Sequence, residues 1–201
     1  MSRLQPLGAS ADVQISGINN GTYTDYCQSK MSLLVIDFTY LEGKDGELVV
    51  KELATVDSHN DRVSSYVFKR PYSWEDLSMF NVRLNEAIDH GCNWNDGFVP
   101  YSDLENVVHS EASPAVAIYC FGALKTEFIS SLINRKVIDI TQLGCPPIAD
   151  IKLSTLSCTF ACHIKSKHVC ALRAAYSVAQ RLHFYTVSLQ YVSCPAQPAY
   201  H

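Results

Sequence analysis

The chain has 201 residues, of which 47% are apolar and 18% charged, and a net charge of −4. That length suits one domain with tails, and that balance excludes a disordered polyelectrolyte. No apolar run is long enough to cross a bilayer, so no membrane association is expected. The charge is uneven: residues 1–150 hold 11 Lys/Arg and all 20 Asp/Glu, whereas residues 151–201 hold 5 Lys/Arg and no acid. A C-terminal quarter without carboxylates could face an anionic partner such as nucleic acid, or could be a core helix that needs few charges.

Residues 1–30 carry turn chemistry (Gly17, Asn19-Asn20-Gly21) and no apolar leader. They read as a weakly ordered extension without a secretory signal, which points to an intracellular protein, cytoplasmic or nuclear. Leu33 to Phe38 is a continuous apolar run, the pattern of a buried central strand. Lys44-Asp45-Gly46 supplies a hairpin turn. Leu48–Val56 and Val63–Phe68 follow as second and third strands, giving an antiparallel meander. After Pro71, Trp74, Leu77, Phe80, Leu84 and Ile88 recur at three-to-four spacing and predict a helix that stops near Gly91. Tyr101 to His109 reads as another helix, with Ser102 as N-cap three residues ahead of Glu105. Ala115 to Phe121 is an apolar strand ending at Gly122. A helix through Phe128, Ile129 and Leu132 and a short strand Val137–Ile140 come next. Pro146-Pro147 interrupts the chain, and a long amphipathic helix runs from Cys170 to Tyr185. The order β-β-β-α-α-β-α-β-α predicts one α/β domain over 31–190, a mixed sheet flanked by helices with three antiparallel strands first, and a tail over 191–201.

That layout resembles the RNase H-like fold of the DEDDh 3′–5′ exonucleases. Leu34-Val35-Ile36-Asp37 resembles the first strand, Glu52-Leu53-Ala54 the second, and His168 to Ala174 the last His-x-x-x-x-Asp motif. The family's fold implies two Mg²⁺ ions held by four carboxylates, since hard cations require oxygen ligands. Only Asp37 and the candidate general base His168 stand in register. Thr39 occupies the Glu position, and Lys125 and Arg173 occupy two Asp positions. A shifted register could recruit Glu127 or Asp139. Two cations among four ligand positions repel the metals, so the expectation is a catalytically degenerate exonuclease. An active metal-dependent 3′–5′ exonuclease is the alternative.

Eight cysteines are scattered along the chain, with Cys158, Cys162 and Cys170 enclosing His163 and His168. In a reducing compartment such a group reads as a metal site or as buried packing thiols rather than as bridges. The grouping is similar to the Maelstrom domain, an exonuclease-like fold with a Glu-Cys-His-Cys zinc constellation. The resemblance implies a structural zinc on Glu52, Cys158, His163 and Cys170, with Cys162 as a substitute ligand. The phrases His90 to Tyr101 and Ile138 to Pro146 also resemble uncharacterised arthropod open reading frames of this layout. A Maelstrom-like role implies small-RNA silencing, with single-stranded RNA rather than DNA, or an RNA-pathway protein, as partner. Lys152, Lys165, Lys167, Arg173 and Arg181 are the candidate phosphate contacts. Trp74, Trp94, Phe98 and Tyr101 are either a base-stacking platform or core anchors. A cysteine nucleophile at Cys170 or Cys162, activated by a neighbouring His, is a further reading. A protein-interaction adaptor without nucleic-acid binding is the remaining alternative.

Overall fold

The apolar run after residue 32 is walled in on both faces, and the architecture follows from that. The computed structural model of the protein describes residues 32–58, 62–82, 92–151 and 169–193. Strand β1 (Leu33–Glu42) pairs antiparallel with β2 (Leu48–Asp57), which pairs antiparallel with β3 (Val63–Val67). On the other side β1 pairs in parallel with β4 (Ala117–Cys120), and β4 with β5 (Ile138–Asp139). The result is a mixed five-stranded sheet in the order β3-β2-β1-β4-β5. Helices α1 (Leu104–Ala112), α2 (Ala123–Ile133) and α3 (Ala171–Ser193) flank it.

Alternation along β1 sends its side chains to two cores. Leu34, Ile36 and Phe38 pack with Leu104, Val108, Ile129 and Ile133 of α1 and α2. Val35 packs on the other face, with Ala54 and Val56 of β2 and Ala171, Ala175, Val178 and Leu182 of α3. The small residues of α3 let that helix lie close to the sheet. A third cluster, Leu41, Val49, Leu77 and Trp94, closes the far end of the hairpin.

Several boundaries differ from the sequence reading. β1 runs on to Glu42. The helix expected from Trp74 is instead a single 3-10 turn, Trp74–Asp76, after which the chain is helical again from Met79 to Val82. Ser73 closes a capping box with Asp76 at the start of that turn, and the turn ends where Leu77 is extended. Helix α1 begins at Leu104 after a 3-10 turn, so Ser102 is not its N-cap; Asp103 holds that place without a side-chain cap. The strand expected over 137–140 stops at Asp139, whose carboxylate accepts from the amide of Thr141 and turns Ile140–Leu143 into a 3-10 helix. Helix α3 continues to Ser193, past Tyr185.

Polar side chains are buried where elements must be held in register. Glu111 of α1 accepts from Thr55 Oγ1 at 3.0 Å and Tyr66 Oη at 2.6 Å, and pairs with Arg62 at 3.3 Å. This ties α1 to β2 and β3 through a carboxylate that would otherwise be costly to bury. The β1–β2 register shifts between Thr39 and Tyr40: Thr39 pairs with Glu52 and Tyr40 with Val50, so Lys51 is the extra, bulged residue. Its side chain is fully buried, and its ammonium donates to the carbonyls of Phe68 (2.7 Å), Trp94 (3.0 Å) and Asp96 (2.7 Å).

Burial lowers the pKa of Lys51 to about 8, against the pull of Cys92 and Asp96. Between about pH 8 and 10.5 the unfolded chain therefore holds the proton that the folded chain has lost, so this group adds stability as pH rises. The buried thiols Cys120 and Cys145, whose pKa values are raised by burial, act in the opposite sense. Comparison with Lys51→Met isolates the lysine. The stability difference, wild type minus variant, is expected to grow by up to about 1.4 kcal/mol per pH unit across that window. Urea denaturation at pH 7, 8, 9 and 10 checks it; a flat difference means that Lys51 titrates normally.

Candidate functional site

Parallel strands leave a crevice where neighbouring chains part, and in α/β sheets ligands gather there. The last β1–β4 pair is Val35 with Tyr119. Asp37 stands two residues further on, where β4 turns away at Gly122. That glycine has φ +91, a conformation that side chains rarely adopt, and it redirects the chain into α2. The first turn of α2 then brings Lys125 over the gap. Its ammonium forms an ion pair with Asp37 Oδ1 and lies 5.4 Å from the centre of the Phe38 ring. Asp37 is only 3% exposed, so the lysine neutralises a carboxylate that water cannot reach.

Two acidic groups border this pair. Asp139, at the end of β5, accepts through Oδ1 from the amides of Gly122 and Thr141, both at 2.9 Å, and from Thr141 Oγ1 at 2.8 Å. Burial raises its pKa, but these donors outweigh burial and the net shift is downward. Asp139 is thus engaged in shaping the β4 and β5 exits. Cys120 lies buried between Asp37, Asp139 and Lys125; burial and the carboxylates raise its thiol pKa, which makes it an inert thiol. Glu127 is exposed on α2.

On the α3 side of the sheet, Thr39 Oγ1 donates to Glu52 Oε2 at 3.3 Å. Threonine thus stands beside Glu52 as a hydrogen-bond donor where the exonuclease resemblance calls for a carboxylate. Glu52 is 2% exposed, and its carboxylate also accepts from the Cys92 thiol (3.0 Å) and the Ala171 amide (3.3 Å). The backbone donor at the start of α3 complements that negative charge. Cys170, the residue before it, is buried as well.

The structure therefore brings Asp37 together with Lys125, and Glu52 together with Thr39, Cys92 and the start of α3. Of the other expected site residues, Arg173 is half-buried in the first turn of α3 and Arg181 is exposed two turns later, where its charge offsets part of the rise that burial gives the Cys145 thiol pKa. Cys158, Cys162, His163, His168, Lys152, Lys165 and Lys167 lie outside the described residues. Among the described residues no three His, Cys, Asp or Glu side chains are placed to hold a metal ion. Of the expected stacking aromatics, Trp94 is buried and Trp74 and Tyr101 are half-buried in the small core, which makes them anchors; Phe98 is exposed. Cys92 and Lys51 were not among the expected residues. The one trace of them in sequence is the charged pair Lys51-Glu52 inside an otherwise apolar strand.

No family model, no curated protein and no solved structure matches the chain. No helix among the described residues is long and apolar enough to cross a membrane. What stands is an α/β protein with a mixed five-stranded sheet and a neutralised carboxylate midway along its first strand, just past the last β1–β4 pair.

Removing one partner of a buried ion pair leaves the other charge stranded, at a cost of about 3 kcal/mol. Lys125→Met is expected to lose about that much stability, and Asp37→Asn with Lys125→Met to lose much less than the sum of the two single variants. Guanidinium denaturation of the four proteins measures the coupling, and strictly additive losses would contradict the pairing.

Proposed function

We propose that this chain is an RNase H-like domain of exonuclease-like build that binds single-stranded RNA without two-metal catalysis. The observation that carries the reading is the Asp37–Lys125 pair. A carboxylate in β1 just past its parallel pairing with β4 would be the first ligand of a two-metal centre, and here a lysine of the chain already satisfies it. An ammonium beside the carboxylate opposes a divalent cation by direct repulsion, and Thr39 offers no carboxylate as a second ligand. The strand order supports the fold assignment: three antiparallel strands come first, and two further strands then join in parallel, β4 on β1 and β5 on β4. A Maelstrom-like place in small-RNA silencing is the role that goes with this reading.

The expected behaviour is specific. The purified chain binds labelled single-stranded RNA equally in EDTA and in Mg²⁺, weakens with rising salt, and leaves the RNA uncut with Mg²⁺ or Mn²⁺. Trimming from the 3′ end with either metal, lost in Asp37→Asn, would establish the exonuclease instead.

The same reading includes a structural zinc on Glu52, Cys158, His163 and Cys170, with Cys162 as a substitute. The described part of that set is Glu52, a desolvated carboxylate already holding three donors, and the buried Cys170. When bound, zinc supplies a closed four-ligand staple between β2 and α3, not an activated water. Elemental analysis is expected to find one zinc per chain, lost in Cys170→Ser with a lowered melting temperature. Metal-free wild-type protein would assign these thiols to packing.

A further inference from the structure

The outer edge of the sheet ends in a feature that the Asp37 site does not use. Where β3 stops, Phe68 forms a parallel bridge with Val99. Two backbone hydrogen bonds bracket it, Lys69 N to Val99 O and Phe98 N to Val67 O, both 2.8 Å. Phe68 is fully buried and Val99 packs against the same core. Side chains alternate along extended backbone, so Lys69 and Phe98, one residue to either side of the bridge, are directed away from that core. Phe98 is 75% exposed, and Lys69 and Arg70 are exposed beside it.

An exposed aromatic on a loose loop would carry little weight, but this one is held from below. Gly97 has φ +135, and a Cβ on it would fall 2.2 Å from the Phe68 carbonyl oxygen, so the loop meets β3 at a distance that only glycine allows. The buried Lys51 ammonium then ties Phe68, Trp94 and Asp96 together. The Trp94 indole donates to the Tyr72 carbonyl at 3.2 Å. Backbone, glycine and buried cation thus fix the segment that presents Phe98, and a fixed surface loses little freedom on binding.

The charges nearby are two exposed cations and one acid. Among the described residues neither Lys69 nor Arg70 forms an ion pair. The nearby Asp96 carboxylate is turned inward on its own loop, accepting from the Asn93 amide at 2.7 Å and from Asn93 Nδ2 at 3.2 Å. An exposed aromatic ring near two cations that form no ion pair among the described residues suits a ligand with flat apolar faces and regularly spaced negative charges. Single-stranded nucleic acid is that ligand, since bases stack on aromatic rings and phosphates pair with Lys and Arg.

We propose that Phe98, Lys69 and Arg70 form a docking surface for a single strand of nucleic acid, with one base on the Phe98 ring and adjacent phosphates on the two cations. This rests on the nucleic-acid reading above and moves its location from the basic C-terminal quarter to the β3 edge.

The test is fluorescence anisotropy of a labelled oligouridine with the intact chain over a salt series. Phe98→Ala is expected to weaken binding about 5- to 100-fold, while Phe98→Tyr, which keeps the ring, stays within about twofold. Lys69→Ala with Arg70→Ala should flatten the slope of log affinity against log salt by about 1.4, the share of two phosphates on a single strand. Should Phe98→Ala fail to fold by circular dichroism, the salt slope of the double variant decides. Wild-type binding that survives these changes but falls in Arg173→Ala with Arg181→Ala overturns the surface and leaves RNA binding standing. Equal losses in Phe98→Ala and Phe98→Tyr overturn the stacking contact. Absence of wild-type binding overturns this surface and the RNA reading together.

Discussion

One extra residue in β2 governs how the rest of the molecule is arranged. Without the bulge at Lys51, strict alternation would put Lys51 and Glu52 on opposite faces of the sheet, each in a hydrophobic core. The bulge lets the strand bend and sends the two charges to separate partners. Lys51 reaches the carbonyls of the 92–98 segment. Glu52 meets Thr39, Cys92 and the first amide of α3. A long helix, a loop and a strand edge are thereby positioned by two adjacent side chains. Burying a charge is tolerable only when its hydrogen-bonding capacity is filled, and here backbone groups fill much of it.

A related economy operates at Asp37, midway along β1. The carboxylate there is desolvated and requires a positive charge. A divalent ion would be one solution; this chain supplies Lys125 from the first turn of α2. The ammonium carries less charge than a metal ion and has no open coordination position, so the pair holds two elements together without activating water. Asp139 follows the same logic, with three donors on one oxygen that shape the exits of β4 and β5. The acids of this region are structural because each already has its donors.

The neutral crevice and the cationic edge near Phe98 suit different tasks. At the crevice, charges face each other and cancel, which favours rigidity. At the β3 edge, two cations and an aromatic are exposed, and the loop is braced from beneath by Gly97 and Lys51.

Much of this was legible in the residues. The run from Leu33, the turn at Lys44-Asp45-Gly46 and the alternating segments after it determined three antiparallel strands, because apolar continuity and turn chemistry are local properties. Lys125 and Thr39 could be read as unsuited to metal binding for the same reason: side-chain charge is a property of the residue type. Element ends were less legible. The extended backbone at Leu77 and the Asp139 cap each stopped a pattern that periodicity would have continued. Most hidden were the partners of buried charges. Nothing in the local sequence says that Lys51 meets Trp94 and Asp96, or that Cys92 meets Glu52 forty residues away, because those contacts arise only when the sheet, the loop and α3 are packed together. Composition and pattern settled which segments become strands and helices; tertiary packing alone decided which charges are neutralised, since burial and proximity belong to the folded chain and not to any stretch of it.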